Sequence, residues 1–218
     1  MREFDAFPIY PPAKRVANRT IANRIAASYR DKEFYDGDRM NGYGGMVNDG
    51  RWGPVADQLI KVYDLKPGSV VLQVGCHKGF LLDEFLKRGM SVNGTEVSGY
   101  AISQAPLSVK YTISQTPCSR LPFGNHVFDL VLCVQPVYAV ILSDAIKCLV
   151  EIGRVGKGKS FITLGTYETD EDLKLMRKWA ILGNLILTKE EWLAVLEHVG
   201  YTGDYRFDTA EFLGLVEE

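Results

Sequence analysis

The stretch V-L-Q-V-G-C-H-K-G-F, residues 71–80, decides the fold of this 218-residue chain. Its apolar first half predicts a buried β-strand, and the leucine-rich segment after residue 80 has the spacing of an amphipathic helix. Between them, Gly75 and Gly79 let the backbone turn tightly and approach a ligand closely. Free N–H groups at the start of the helix favour polar or anionic atoms. The stretch therefore predicts a nucleotide-type ligand site; a turn that serves the fold alone is the alternative.

Strand and helix patterns alternate from residue 69 onward, and this alternation predicts the architecture. The apolar segments of strand length lie at residues 70–74, 92–97, 109–113, 128–134 and 161–164, with closing strands expected at residues 205–207 and 212–216. The helical segments lie at residues 54–63 and 79–88, after Ser98, from Ser143, and after the capping box Thr188-x-x-Glu191. Such alternation is typical of an α/β fold with a doubly wound, mostly parallel sheet and helices on both faces.

The first 53 residues are predicted to form a unit ahead of a sheet domain over residues 54–218. Prolines at positions 8, 11 and 12 predict an irregular arm over residues 1–13, and apolar spacing predicts a helix over residues 14–29. The basic residues between Lys14 and Lys32 are interpreted as a solvated helix face, with an anion-binding arm as the alternative. Residues 35–53, rich in Gly, Asp and Asn, predict a long capping loop.

Composition and charge restrict the classes of partner. A hydrophobic content of 46% is ample for a core, and the four widely spaced cysteines have no histidine at zinc-ligand spacing, so we expect reduced thiols and no metal site. A formal charge of −2 argues against a nucleic acid partner. Neither a leader-like apolar segment nor a run of about 18 apolar residues occurs. We expect a cytoplasmic protein without a membrane partner, and the sequence leaves a homo-oligomer open.

Two further segments bear on the ligand. Glu96 ends the second predicted strand, about twenty residues after Gly75, where a carboxylate can accept hydrogen bonds from both ribose hydroxyls of an adenosine group. A solvated glutamate at a strand end is the alternative. The segment R-L-P-F-G-N-H-V-F-D-L-V-L-C, residues 120–133, precedes and opens the fourth strand, and nicotinamide-binding domains have no counterpart of it.

These segments together resemble the class I S-adenosylmethionine (SAM)-dependent methyltransferases, in particular the small-molecule, type 11-like members. The places of the family's first motif are filled by Val71, Leu72, Val74, Gly75, Cys76 and Gly79. Gln73 stands where the family usually has an acidic residue, His77 where it most often has glycine, and Pro117 where an aspartate commonly stands. The resemblance covers roughly residues 54–217. It implies a Rossmann-like sheet, for which we expect an antiparallel closing strand.

The resemblance implies a site for SAM and its product S-adenosylhomocysteine (SAH). The expected cofactor-binding residues are Gly75, Cys76, His77, Gly79, Glu96, Val97, Cys118, Ser119, Val134 and Gln135. The expected substrate-binding residues, from the capping loop and the end of the fourth strand, are Tyr35, Arg39, Tyr43, Arg51, Trp52 and Tyr138. Guanidinium groups suit a phosphate or carboxylate on the substrate. Alternatively, the two arginines pair with Asp36, Asp38 and Asp49 to order the loop. The sequence assigns no catalytic residue.

We therefore expect a transferase that moves a methyl group from SAM to a small polar acceptor, with phosphorylated and sugar-type compounds as the two kinds of acceptor considered. Because Gln73, His77 and Pro117 depart from the family pattern, the alternative is a methyltransferase-like module that binds SAM, SAH or a partner without turnover. A nicotinamide-dependent oxidoreductase is the third hypothesis. All depend on an adenosine-shaped cleft between Gly75–Gly79 and Glu96, and side chains filling that cleft would count against the enzyme.

Overall fold

The structure is a computed structural model that describes residues 1–5 and 14–217. Most of the expected irregular arm, including its three prolines, lies outside the described residues. The arm is not irregular throughout, because β1 (Arg2–Glu3) pairs with the main sheet. In the described part of the chain, no helix is long and apolar enough to cross a membrane.

The main sheet has seven described strands, and all their pairings are parallel. They are β1, β3 (Val70–Val74), β4 (Ser91–Glu96), β5 (Ile113–Gln115), β6 (Leu130–Cys133), β7 (Ser160–Gly165) and β8 (Asp204–Asp208). The spatial order is β1-β8-β7-β6-β3-β4-β5. From β3 the chain builds one half of the sheet toward β5 and the other half from β6 outward, so the order reverses between β3 and β6. The Rossmann-like, doubly wound α/β architecture is thereby confirmed.

The prediction that the closing strand of the main sheet is antiparallel is wrong. β8 joins β7 in parallel, because crossover helices carry the chain back to the same end of the sheet before β8 begins. The last strand, β9 (Leu215–Glu217), leaves the main sheet and pairs in parallel with β2 (Lys14–Val16) in a separate two-stranded ribbon.

Helices cover both faces of the sheet, as the sequence predicts. They are α1 (Ile21–Ser28), α2 (Lys32–Asp36), α3 (Trp52–Val62), α4 (Phe80–Lys87), α5 (Gly99–Ser103), α6 (Leu107–Lys110), α7 (Leu142–Val155), α8 (Asp170–Trp179) and α9 (Lys189–His198). Short 3-10 turns lie at Arg39–Asn41 and Pro136–Ala139. Successive strand residues point to opposite faces. Leu72 and Val131 therefore pack with α7 and α9, whereas Val71 and Leu132 pack with α3 and α4.

Three local predictions need correction. The helix expected over residues 14–29 begins only at Ile21, because Thr20 caps it with a reciprocal capping box and the preceding residues pair as β2. The strand expected over residues 109–113 is the short helix α6 followed by β5. The expected loop over residues 35–53 contains the end of α2, a 3-10 turn and the start of α3. Packing of the buried Phe34 stabilises α2, and sequence periodicity does not reveal this contact.

We expect Leu132→Ala to lower the free energy of unfolding by about 2–5 kcal/mol, since Leu132 is fully buried in the central strand β6 and its loss leaves a cavity. Leu107→Ala is the matched control, because the Leu107 side chain is 76% exposed, and its effect should stay within about 0.5 kcal/mol. Urea denaturation of both variants measures the difference. Equal losses would contradict the assigned core.

Candidate functional site

The chain makes a sharp bend between β3 and α4, at the carboxyl end of the central strand. Gly75, His77 and Gly79 all have left-handed backbone, with φ of 68°, 53° and 71°. Glycine adopts this region without strain, and histidine is among the side chains found there more often than most. A Cβ atom on Gly75 would lie 2.2 Å from the Cγ atom of Pro136, so the bend packs directly against the turn after β6.

Glu96, the last residue of β4, faces this bend. The side chain is 3% exposed, and its Oε2 atom accepts a hydrogen bond from the backbone N–H of His77 at 2.9 Å. Its Oε1 atom accepts from the N–H groups of Val97 and Ser98, at 2.9 and 3.0 Å. The hydroxyl of Tyr35 is a fourth donor, 3.4 Å from Oε1. The expected juxtaposition of bend and carboxylate is therefore present.

The expected open cleft between the bend and Glu96 is filled by side chains of the N-terminal part of the chain. Tyr35 is fully buried there, and its hydroxyl lies 3.4 Å from Nδ1 of His77. The hydroxyl of Tyr43 lies 3.4 Å from Nε2 of His77 and donates to Oε1 of Gln135 at 3.2 Å. The two tyrosine rings stack with centroids 5.8 Å apart. Tyr35 and Tyr43 therefore occupy space that a ligand bound between the bend and Glu96 would need.

Residues 30–46, which we call the flap, are tied to both walls of the cleft. Asp36 forms an ion pair with Lys78 of the bend, at 2.6 Å, and accepts a hydrogen bond from the hydroxyl of Tyr100, at 2.7 Å. Lys78 also donates to the backbone carbonyl of Met46 at 2.9 Å. Burial raises the pKa of Asp36, but the hydrogen bonds from Lys78 and Tyr100 outweigh it and hold that pKa below its usual value.

The protonation states of the cluster follow from its burial. Burial lowers the pKa of His77 and opposes the raising effect of the Glu96 charge, so the ring is neutral at pH 7. Burial and the nearby Glu96 charge raise the pKa of both Tyr35 and Tyr43, so the hydroxyls stay protonated and can donate. Burial likewise raises the pKa of the Cys76 thiol, which excludes a thiolate nucleophile at neutral pH.

The remaining predicted cofactor residues lie along the same edge of the sheet, with different surroundings. Gln135 follows β6 with a φ of 80°, and its N–H donates to Oγ1 of Thr163 at 3.0 Å. Val134 packs against the core on the face of α3 and α4, whereas Cys118 is buried in the core on the face of α7. Val97 is 41% exposed and Ser119 is half-buried, in the loop after β5.

The structure divides the predicted substrate residues into two groups. Tyr35 and Tyr43 reach the bend, whereas Arg39 donates to the carbonyl of Gly42, within the flap itself, and Arg51 forms an exposed ion pair with Asp49. The local pairing of Arg51 is the alternative that the sequence left open. Trp52 begins α3 and packs against the core. Tyr138 is buried with its ring against Gly165. A role in substrate binding stays a prediction for all six.

Sequence reasoning missed the roles of three residues that shape this site, Asp36, Lys78 and Tyr100. Asp36, named as a possible partner of the loop arginines, pairs instead with Lys78 and Tyr100. Lys78 lies inside the glycine bend, and this was the available signal, because a cation there needs an acidic partner. The partner, Asp36, is 42 residues away in the sequence. No spacing pattern connects two positions so far apart.

A second polar region adjoins the flap. A surface cavity of about 350 Å³ is lined by Asn18, Arg19, Thr20, Ile21, Arg24, Arg177, Lys178 and Ile181. Arg19 donates to the carbonyls of Trp179 at 2.8 Å and of Arg39 at 3.0 Å, so it connects the end of α8 to the flap. The basic residues near α1 therefore do more than form a solvated helix face, since several of them line a cavity.

Residues 72–164 match a family model described as a methyltransferase domain. This segment contains the bend, Glu96 and the strand β6, and the resemblance to class I SAM-dependent methyltransferases is confirmed. No curated protein sequence matches the chain.

Two solved structures of low sequence identity share the fold. A chain from the complex between the Trm112 methyltransferase activator and a candidate methyltransferase of Haloferax volcanii is 18% identical with a TM-score of 0.57, over 84% of this chain and 77% of that one. A SAM-dependent methyltransferase from Methanosarcina mazei is 21% identical with a TM-score of 0.50, over 65% and 82%. The match to a candidate methyltransferase from an antibiotic biosynthesis pathway of Anabaena variabilis, 19% identical with a TM-score of 0.43, covers 47% of this chain but only 41% of that chain.

Gly75→Ala should destabilise the domain more than Gly68→Ala. Both glycines have positive φ, 68° and 86°, but an added Cβ meets Pro136 at position 75 and nothing within 4 Å at position 68. Gly68→Ala thus measures the backbone strain alone, about 1–3 kcal/mol, and Gly75→Ala adds a steric clash. Thermal or urea unfolding of the two variants compares them. Similar losses would show that the bend does not depend on contact with Pro136.

The lowered pKa of His77 predicts a pH dependence of stability. An unfolded chain binds a proton at His77 near the ordinary pKa of about 6.5, whereas the folded chain resists protonation, so stability is full above that pH and falls as the pH drops below it. Replacement by asparagine, which tolerates positive φ, should reduce the loss between pH 7.5 and 5.5. His198→Asn, at the exposed end of α9, is the control and should retain the wild-type dependence. The urea midpoints of the three proteins are measured at both pH values. Identical losses of stability in all three would contradict the assignment of this pH dependence to His77.

Proposed function

We propose that this methyltransferase domain transfers a methyl group from SAM to a small polar acceptor and releases SAH. The observation that carries the proposal is the buried Glu96 carboxylate, which ends β4 and faces the left-handed bend after β3. A carboxylate at this place suits the paired hydroxyls of a ribose, and the bend suits the close approach of a polar ligand.

The side chains and backbone of the site fit SAM on condition that the flap moves. Glu96 would hold the ribose, and the backbone of Gly75–Gly79 would face the amino-acid part of SAM. Gln73 Oε1 and Thr95 Oγ1, near the ends of β3 and β4, are buried with no hydrogen-bond partner within the described residues. Buried polar atoms are rarely left unpaired, so they support a polar ligand or water at this edge of the sheet.

Bound SAM supplies a methyl group on a sulfonium, for displacement in line with the acceptor. The chain's contribution is then mainly positioning. Gln135 and Tyr43 span the gap between the ends of β6 and β3, at the reversal of strand order where ligands of open α/β sheets bind. These residues would orient the acceptor beside the donor and exclude water.

The acceptor class is proposed from charge. Arg19, Arg24, Arg177 and Lys178 line one cavity beside the flap, which supports an acceptor with a phosphate or carboxylate group, and a sugar-type acceptor is the alternative. We assign residues 1–53 to a capping unit and residues 54–218 to the SAM-binding domain. All four cysteines are free thiols, which supports a cytoplasmic location.

A binding module without turnover is the second candidate function. The observation that favours it is the occupation of Glu96 by Tyr35, together with Gln73, His77 and Pro117 at positions where the family differs. Radiolabelled SAM and a panel of phosphorylated, carboxylated and sugar acceptors separate the two functions. Methyl transfer to any acceptor excludes the module, and SAM binding without any transfer favours it.

Glu96→Gln should weaken SAH binding at least tenfold, because charge-assisted hydrogen bonds of about 1.5–3 kcal/mol become neutral ones. Glu197→Gln removes an exposed glutamate of α9 and is the matched control, with no expected effect. Isothermal calorimetry gives the dissociation constants, and unfolding curves verify that both variants fold. A wild-type protein that binds neither SAM nor SAH at millimolar ligand would contradict the proposed function.

A further inference from the structure

The Oε1 atom of Glu96 has no free acceptor position in this conformation. A carboxylate offers about four lone-pair positions, two on each oxygen. Three donors point at Oε1, namely the backbone N–H groups of Val97 and Ser98 and the hydroxyl of Tyr35, whereas Oε2 accepts from the backbone N–H of His77. A ribose that binds both carboxylate oxygens through its two hydroxyls must therefore replace a donor on Oε1.

Tyr35 is the donor that can leave. The N–H groups of His77, Val97 and Ser98 belong to the bend and to the end of β4, so their positions are fixed by the sheet itself. Tyr35 comes from α2, a five-residue helix outside the sheet. Its contact, at 3.4 Å, is also the longest of the four. We infer that the hydroxyl of Tyr35 takes the place of a ribose hydroxyl on Glu96, so that the flap and an adenosine ligand compete for one carboxylate.

The polar contacts that hold the flap to the two walls of the cleft make this competition a change between two states, a closed flap and a released flap. Lys78 belongs to the bend, and its side chain is only 7% exposed because Asp36 and the carbonyl of Met46 cover it. Tyr100 and Ser98, on the other wall, hold Asp36 and the carbonyl of Arg30. Since Asp36 is bound from both walls, releasing it frees the centre of the flap from the cleft as a unit.

The flap covers more than the ribose end. Tyr43 bridges His77 after β3 and Gln135 after β6, across the gap where the strand order reverses. Phe34 and Tyr35 also pack with Ala27, Ala101 and the partly buried Ile181 and Leu182. This apolar packing favours the closed position of the flap. The hydrogen bonds and the ion pair at Asp36 and Glu96 are the contacts that a polar ligand can replace.

This inference rests on the proposed function, because the competing ligand is the adenosine part of SAM. Its consequence is thermodynamic: the affinity that is measured equals the intrinsic affinity multiplied by the open fraction. Changes that loosen the flap without altering the bend or Glu96 must therefore tighten binding. If Tyr35 instead held the cofactor directly, the same changes would weaken it.

The test is SAH binding, by calorimetry, to the full chain and two variants. Asp36→Asn removes the charge that pairs with Lys78, and Tyr35→Phe removes the competing hydroxyl but keeps the buried ring. We expect each to bind SAH roughly three- to tenfold more tightly than wild type. Asp31→Asn is the matched control, since it makes the same charge change in an exposed residue whose cap function asparagine preserves, and its affinity should equal that of wild type.

Unchanged or weaker binding in both folded variants overturns the competition while leaving the proposed function intact, because wild type still binds SAH. Absence of binding in all four proteins overturns the proposed function and the competition with it. Hydrogen exchange gives a second readout that does not depend on a variant. Saturating SAH should speed amide exchange in residues 30–46 while slowing it in residues 75–79, and slower exchange in both segments would overturn the inference.

Discussion

The buried charge of Glu96 is the constraint on which the site depends. A carboxylate that is removed from water must be compensated by hydrogen bonds, because an unpaired buried charge is strongly unfavourable. In this chain the donors come from the bend after β3, the end of β4 and the hydroxyl of Tyr35. One side chain thus joins two strands of the sheet to the N-terminal flap, and movement of Tyr35 away from Glu96 removes one of its four donors.

The departures from the family pattern acquire a physical meaning in this arrangement. His77, at the position where the family most often has glycine, keeps the left-handed backbone and donates its N–H to Glu96. Its ring lies edge-on to both Tyr35 and Tyr43, with centroids 5.9 and 5.5 Å away. The same residue therefore preserves the bend and provides the surface on which the flap rests. Gln73, in contrast, leaves a buried oxygen without a partner within the described part of the chain.

The basic residues of the N-terminal part of the chain lie in two separate regions. The arginines of the capping loop contact the loop itself, and a different set of basic residues lines the cavity beside it, namely Arg19 ahead of α1, Arg24 in α1, and Arg177 and Lys178 in α8. The flap contacts the Glu96 cluster through Tyr35, and Arg19 of this cavity donates to its backbone at Arg39. The proposed donor and acceptor regions are therefore both connected to the same seventeen residues, 30–46.

The sequence by itself determined the central strands, the bend and the position of Glu96 at a strand end, because these features follow from local hydrophobic spacing, glycine placement and the length of one βαβ unit. It did not determine that Asp36 pairs with Lys78 or that Tyr35 reaches Glu96, across 42 and 61 residues. Nor did it determine that β9 leaves the main sheet for β2. Contacts between distant segments depend on how the chain folds over the finished sheet. Local sequence patterns do not indicate which residues then come into contact. The tertiary structure alone therefore decided whether the cleft is open or filled.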